Sequence, residues 1–247
     1  MKKIYHNFIF LLIVFALSCS KHFAPQKNEA KHYSLKEYND NESSKKILAS
    51  YKYKVDSATN TIIAYTTNFV TKDGANCALG NFCCDALYYG STNYYKNDSI
   101  DLVILNRGGL RINLPKGDIK VGTIFELMPF ENEMVLVTIK GEKLLEVLPA
   151  LADKPHPFFG MKVEINAKKE ILATIKNIQI EKTKNYNIIT SDYLAYGGDG
   201  FVFLKNPVNI KKSTLKIRDV FISYCKFLTE NKKQIIPYTD DRLQISK

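Results

Sequence analysis

Between residues 59 and 105 the apolar residues change period twice, and this limits the fold more than any other feature of the sequence. Thr59 to Thr67 (TNTIIAYTT) is rich in β-branched side chains and predicts a strand. Leu79, Phe82, Cys83, Ala86 and Leu87 then fall at helical spacing, which predicts an amphipathic helix over Leu79–Tyr89. Ile100 to Leu105 (IDLVIL) is a short, nearly continuous apolar run, the pattern of a buried strand. The mixture continues downstream. Strands are predicted at Met134–Ile139, Met161–Ile165, Asn177–Ile180 and Tyr186–Thr190, and helices at Gly141–Leu151 and Thr214–Leu228. Helices and strands alternate without a regular βαβ rhythm, and no internal repeat is visible. The expectation is a single α+β domain of mixed β-sheets flanked by helices.

That domain occupies only part of the 247 residues. Lys2 and Lys3 precede the apolar run Phe8–Leu17, which suits a signal h-region and is short for a bilayer span. The run ends at Ala16-Leu17-Ser18-Cys19, which looks like a bacterial lipobox, with Ser20, Lys21 and His22 turning polar at once. The expected organisation is a lipoprotein signal peptide over 1–18, a lipidated Cys19 opening a polar tether over 19–44, and a folded domain over 45–247. An ordinary signal peptide or an uncleaved anchor is the other reading of the same run. The lipid reading places the protein in the bacterial cell envelope, held by its lipid at the periplasmic or outer-membrane surface.

Loss of residues 1–18 removes two Lys and no acid, so the net charge of +10 falls to +8. The Lys residues are scattered in short pairs without interleaved aromatics, which is not a nucleic-acid-binding pattern. Arg occurs only at 107, 111, 218 and 242, and two of the four share one loop. His occurs only at 6, 22, 32 and 156. So few His argue against a self-contained binuclear metal hydrolase, and no metal ligands are assigned in this chain. His156 sits in Lys154-Pro155-His156-Pro157 and is expected in an exposed loop. Cys77, Cys83, Cys84 and Cys225 contain no Cys-x-x-Cys spacing and are expected as small core residues, with one bridge allowed.

Three loops carry groups suited to chemistry. Asn106-Arg107-Gly108-Gly109-Leu110-Arg111 follows the IDLVIL strand. Its glycines permit close approach of a ligand, and Arg111, with Arg107, can fork onto phosphate or carboxylate oxygens. A glycine turn with solvated Arg is the plain alternative. Met128-Pro129-Phe130-Glu131-Asn132 precedes a strand, and Phe130 and Asn132 project to one side of an extended segment. An aromatic beside an amide suits a nucleobase, one stacking and the other bonding an edge; a core Phe with a turn Asn is the alternative. Tyr193-Leu194-Ala195-Tyr196-Gly197-Gly198-Asp199-Gly200-Phe201 sets a carboxylate on a glycine turn. Asp199 there can meet sugar hydroxyls or a metal, or simply close an Asx turn.

Taken in order, Leu79-Gly80-Asn81-Phe82 with Asp85-Ala86, NRGGLR, LMPFEN, Gly160 after Pro157-Phe158-Phe159, YGGDGF and the closing Asp240-Asp241-Arg242-Leu243 resemble the C-terminal domain of the 5′-nucleotidase / UDP-sugar hydrolase family, over roughly residues 45–245. The resemblance implies a four-layer α/β/β/α arrangement. It implies that Phe130 and Tyr193 clamp a base and that Asn132 contacts it. It further implies that Gly160 lets backbone approach the ring, that Asp199 binds the ribose, and that Arg111 reaches the phosphate, with Asn106 and Arg107 in the same loop. The sequence departs from the family in three ways. Arg107 stands where a small residue is common, Asn68–Ala78 offers no cation but Lys72, and the metallophosphatase domain with its Asp-x-His, Gly-Asn-His and Gly-His-x-His motifs is missing from these residues.

Catalytic residues are therefore assigned none, and whether the chain alone is an enzyme is left open. One reading makes it the nucleotide-recognition half of a 5′-nucleotidase-type phosphohydrolase, with divalent metals supplied by a separately encoded metallophosphatase chain. The other makes it a stand-alone nucleoside- or nucleotide-binding envelope lipoprotein. Both imply a nucleotide or nucleoside partner and a membrane reached through lipid.

Overall fold

The computed structural model describes residues 31–32 and 41–246. The signal segment, Cys19 and nearly all of the expected tether lie outside the described residues. The chain divides into two compact units, residues 1–47 and 48–247, and the elements among the described residues belong almost wholly to the second.

Helix α1 (Glu42–Thr59) opens with Asn41 Oδ1 accepting the Ser44 N–H at 3.1 Å and buries none of its residues. Strand β1 (Ile62–Thr66) follows, then α2 (Ala78–Tyr94), β2 (Leu102–Ile104), β3 (Gly117–Lys120), α3 (Val121–Leu127), β4 (Glu133–Lys140), α4 (Gly141–Leu145) and α5 (Leu148–Asp153). The chain continues through β5 (Phe158–Phe159), β6 (Met161–Ile165), β7 (Ile171–Ile175), β8 (Ile178–Gln179), β9 (Asn185–Ser191), α6 (Asp192–Ala195), β10 (Asn209–Lys216), α7 (Ile217–Glu230) and β11 (Leu243–Ile245).

The centre is a five-stranded mixed sheet ordered β10-β4-β9-β2-β5, in which only β2 and β9 run parallel. Both its faces are covered, which explains the unbroken apolar runs of β2 and β4. Val103, Met134, Leu136 and Ile189 join one core with α2 and α7. Leu102, Ile104, Val135, Val137 and Ile188 point the other way, into a second core with a four-stranded sheet ordered β11-β6-β7-β8. The short helices α4 and α5 contribute Leu144, Leu148 and Leu151 to that second core. A two-stranded antiparallel sheet of β1 and β3 packs beside the first core through Ile63 and Ile119. This is the expected α+β class.

Four of the boundary shifts have a plain physical reason. Thr59 belongs to the end of α1, so the first strand begins at Ile62. The helix expected over Gly141–Leu151 is two helices, because Pro149 at the start of α5 has no N–H to continue the earlier ladder. Residues 214–216 finish β10 before α7 begins at Ile217. The strand expected at Asn177 starts one residue later, since Lys176 and Asn177 occupy left-handed turn conformations. Cys77, Cys83, Cys84 and Cys225 are all buried and unbridged. Burial pushes the Cys83, Cys84 and Cys225 thiols up, the last to about 12, so they are inert core groups.

Strand directions decide where the three loops emerge. β4 is antiparallel to β9, with Met134 opposite Ser191, so the start of β4 lies beside the end of β9. β9 is parallel to β2, so both end on the same side. The end of β10 meets the start of β4, with Lys216 opposite Glu133. The loops after β2, before β4, after β9 and after β10 therefore gather at one end of the central sheet, where ligand sites of α/β folds commonly form.

Candidate functional site

A cavity of about 620 Å³ opens at that end of the sheet. Among the sequence-predicted residues, Asn106, Arg111, Phe130, Asn132, Tyr193 and Asp199 line it; Arg107 and Gly160 do not. Its size is that of a small-molecule site.

The first loop turns directly out of β2 as a single 3₁₀ turn, Arg107–Gly109. Asn106 crosses to the third loop, its Nδ2 donating to Asp199 Oδ2 at 2.9 Å. Arg111 Nη1 donates to the Gly108 carbonyl at 3.0 Å, and the rest of its exposed guanidinium fronts the cavity as its lining cation. Arg107 does something different. Its guanidinium donates to the carbonyls of Lys72, Gly74, Ala75 and Pro155 at 2.5–3.3 Å, fastening two distant loops to the 3₁₀ turn.

The second loop is held from behind. Arg218, at the start of α7 and only 7% exposed, donates to Glu131 Oε1 at 2.5 Å and to the Phe130 carbonyl at 3.4 Å. Its guanidinium also lies over the Phe125 ring, 4.1 Å from the centroid. The Arg218 bond holds the Glu131 carboxyl below its ordinary range. With its backbone fixed, Phe130 stands 42% exposed on the cavity wall.

The third loop presents Tyr193, 50% exposed, from the short helix α6. Ser191 caps that helix by accepting the Leu194 N–H at 3.1 Å. Tyr193 Oη accepts the Asp199 N–H at 3.1 Å, so ring and carboxylate are set together. A Cβ at Gly198 would stand 2.5 Å from the Tyr193 ring, so glycine there lets backbone lie on the ring face. Asp192 Oδ1 accepts from Asn132 Nδ2, from the Glu133 N–H and from the Tyr193 N–H, joining second and third loops.

Two predicted residues stand apart from this geometry. Gly160 has φ +85, and a Cβ there would meet the Asp101 carbonyl oxygen at 2.2 Å. Its glycine identity thus serves the close pairing of β5 with β2, outside the cavity. His156 is half-buried where an exposed loop residue was expected. It accepts the Arg107 N–H at Nδ1 (3.4 Å) and meets Phe201 edge-on at 4.9 Å. Burial pushes its imidazole below the ordinary range, with Asp199 pulling the other way and Arg107 adding to the depression. Sequence reading missed Asp192 and Arg218. An acid next to a candidate aromatic and an Arg opening a helix carry no distinguishing signal until the strands bring the loops together.

The cavity offers two exposed aromatic rings, an amide, a carboxylate and a guanidinium. That set can stack a flat ring, bond its edge and sugar hydroxyls, and attract an anion. It does not suit a divalent metal pair. Among the described residues no group of three or more His, Cys, Asp or Glu side chains is placed to hold an ion.

Residues 56–206 match the family model described as 5′-nucleotidase, C-terminal domain. An apyrase of Tabanus yao is 24% identical over 197 residues, covering 68% of this chain and 36% of that protein. Protein UshA of Escherichia coli (strain K12) is 31% identical over 113 residues, covering 43% of this chain and 20% of its own. In three dimensions the chain resembles the 5′-nucleotidase precursor of Thermus thermophilus, with a TM-score of 0.68 at 21% identity, over 83% of this chain and 43% of the other. The chain spans less than half the length of these relatives. The residues matched by the family model carry all three loops of the cavity, and the chain belongs to the 5′-nucleotidase family through its C-terminal domain.

Proposed function

We propose that this chain binds a nucleoside or nucleotide at the end of the central sheet. In this reading Phe130 and Tyr193 hold the base, Asn132 bonds its edge, Asp199 takes the ribose hydroxyls and Arg111 attracts the phosphate. The observation that carries the reading is that six residues from three separate loops line one cavity of nucleotide size. Stacking on aromatic rings is worth about 1–3 kcal/mol per base and tolerates base identity. A charge-assisted bond from Arg111 would add selectivity for the phosphorylated ligand.

The chain then serves as the recognition half of a 5′-nucleotidase-type phosphohydrolase, with a separate metallophosphatase chain supplying the metals and the reaction. The names of its relatives, nucleotidases and an apyrase, support a nucleotide ligand. The Ala-Leu-Ser-Cys19 junction supports a lipid anchor at the bacterial envelope.

Calorimetry tests the binding. Adenosine and AMP should both give heat, AMP binding the tighter, and Arg111→Ala should abolish only the advantage of AMP. A folded protein that gives no heat with either overturns the reading. For the partnership, a candidate metallophosphatase chain should hydrolyse AMP faster when this chain is added, and Phe130→Ala should remove the gain.

A further inference from the structure

The loops that carry Asn132 and Tyr193 meet on a single oxygen. Asp192 Oδ1 accepts from the Tyr193 N–H at 2.7 Å, from Asn132 Nδ2 at 3.1 Å and from the Glu133 N–H at 3.2 Å. Two of these donors are backbone amides, so the oxygen acts as an acceptor whichever way Asn132 is turned. A flipped Asn132 would set its own carbonyl oxygen against that acceptor, with no proton between them. The amide is thereby locked with nitrogen toward Asp192. Its Oδ1 has no hydrogen-bond partner among the described residues, and the side chain lines the cavity.

We propose that Asp192 makes Asn132 a one-way reader, so that the cavity prefers bases carrying an amino group over their oxo counterparts. This rests on the reading of the cavity as a nucleotide site. A free asparagine amide would serve both kinds of base, because a half-turn exchanges its oxygen for its N–H. Asp192 removes the half-turn. An exocyclic amine then meets the free Oδ1, whereas a base carbonyl in the same pose meets it acceptor to acceptor. The ligand class is that of 6-aminopurine and 4-aminopyrimidine nucleosides. Asp192 does not itself touch the base: it is a positioning residue acting through Asn132.

The test is calorimetry on the full chain with adenosine against inosine and cytidine against uridine, nucleosides that lack the phosphate and so isolate base reading. Adenosine should bind about five- to a hundredfold tighter than inosine, the range for leaving a hydrogen-bonding group unsatisfied, with cytidine over uridine in the same direction. Asp192→Ala removes the acceptor that opposes the flip, and thermal melting checks that the variant is folded. It should bring the adenosine/inosine ratio below about threefold, as should Asn132→Ala. A wild-type chain that binds inosine as tightly as adenosine overturns the proposal while leaving the nucleotide site standing. So does a folded Asp192→Ala variant that keeps the wild-type ratio. Absence of heat with all four nucleosides overturns the nucleotide reading, and the proposal with it.

Discussion

At the scale of single residues, the side chains that line the cavity are distinct from those that hold its loops, Arg107 and Arg218 among the latter. Phe130, Asn132, Tyr193 and Asp199 stand out in the sequence because an aromatic, an amide and a carboxylate recur together on glycine- or proline-bounded loops. Arg107 defeats the same logic. A loop Arg near a candidate phosphate ligand looks like a second ligand, yet four backbone carbonyls from residues 72–75 and 155 absorb its guanidinium. The partners are scattered in sequence, so the spacing of one loop holds no trace of them. His156 sits against this clasp, and its pH behaviour follows from its burial. In the unfolded chain its imidazole takes a proton near pH 6.5. In the folded chain burial holds its pKa lower. Between the two values the unfolded state binds more protons, so this contribution is full above about pH 6.5 and is lost as pH falls toward the folded pKa. Thermal melts of the wild type should therefore drop between about pH 7 and pH 5 more than those of His156→Gln. Parallel curves for the two proteins would exclude His156 as the source.

At the scale of elements, existence was easier to read than extent. The period of α2 is plain because its buried residues Leu79, Phe82, Cys83, Ala86 and Leu87 face one core. The split between α4 and α5 turns on one missing N–H at Pro149 inside an otherwise helical pattern. The passage from β10 into α7 has no breaker residue, and cross-strand pairing with β4 places it. Gly90, in the body of α2, is a residue that propensity alone cannot explain, since glycine costs a helix interior about 1 kcal/mol relative to alanine. The packing explains it. A Cβ at Gly90 would stand 2.4 Å from Val220 Cγ1 on α7. Gly90→Ala should therefore destabilise by about 1–2 kcal/mol, the overpacking outweighing the gain in propensity. In a Val220→Ala background the obstruction is gone, and the same substitution should become stabilising by up to about 1 kcal/mol. Denaturant unfolding of the four proteins in this cycle measures it; a Gly90→Ala effect of the same sign in both backgrounds would show that helix contact does not dictate the glycine.

At the scale of the molecule, the ordered motifs divide into two groups with different work. Those after β2, before β4 and after β9 build the cavity. The Leu79-Gly80-Asn81-Phe82 and Asp240-Asp241-Arg242-Leu243 motifs, at opposite ends of the domain, instead bind one another. Asn81 Nδ2 donates to the Tyr238 carbonyl at 3.3 Å, and Arg242 Nη2 donates to Asp85 Oδ1 at 3.3 Å and to Tyr238 Oη at 3.0 Å. Tyr238 in turn donates to Asp85, and Arg242 also reaches Asp240 and the Phe158 carbonyl. Arg242 is 6% exposed, so its charge is compensated almost entirely by these partners. Its pKa is shifted upward, the bonds to Asp240 and the charge of Asp85 outweighing burial. Removing one member of such a buried cluster leaves the others unpaired, which costs about 3–5 kcal/mol. Arg242→Met should therefore lower the melting temperature by roughly 6–20 °C in a domain of this size. Asp241→Ala, one residue away, removes an exposed partner of Lys162 and should change stability by less than about 1 kcal/mol. The cluster lies away from the cavity lining, so Arg242→Met measured well below its melting point should keep the wild-type preference among nucleosides. A variant that melts normally would show that the tail docks through β11 and its pairing with β6, with the ionic cluster contributing no net stability.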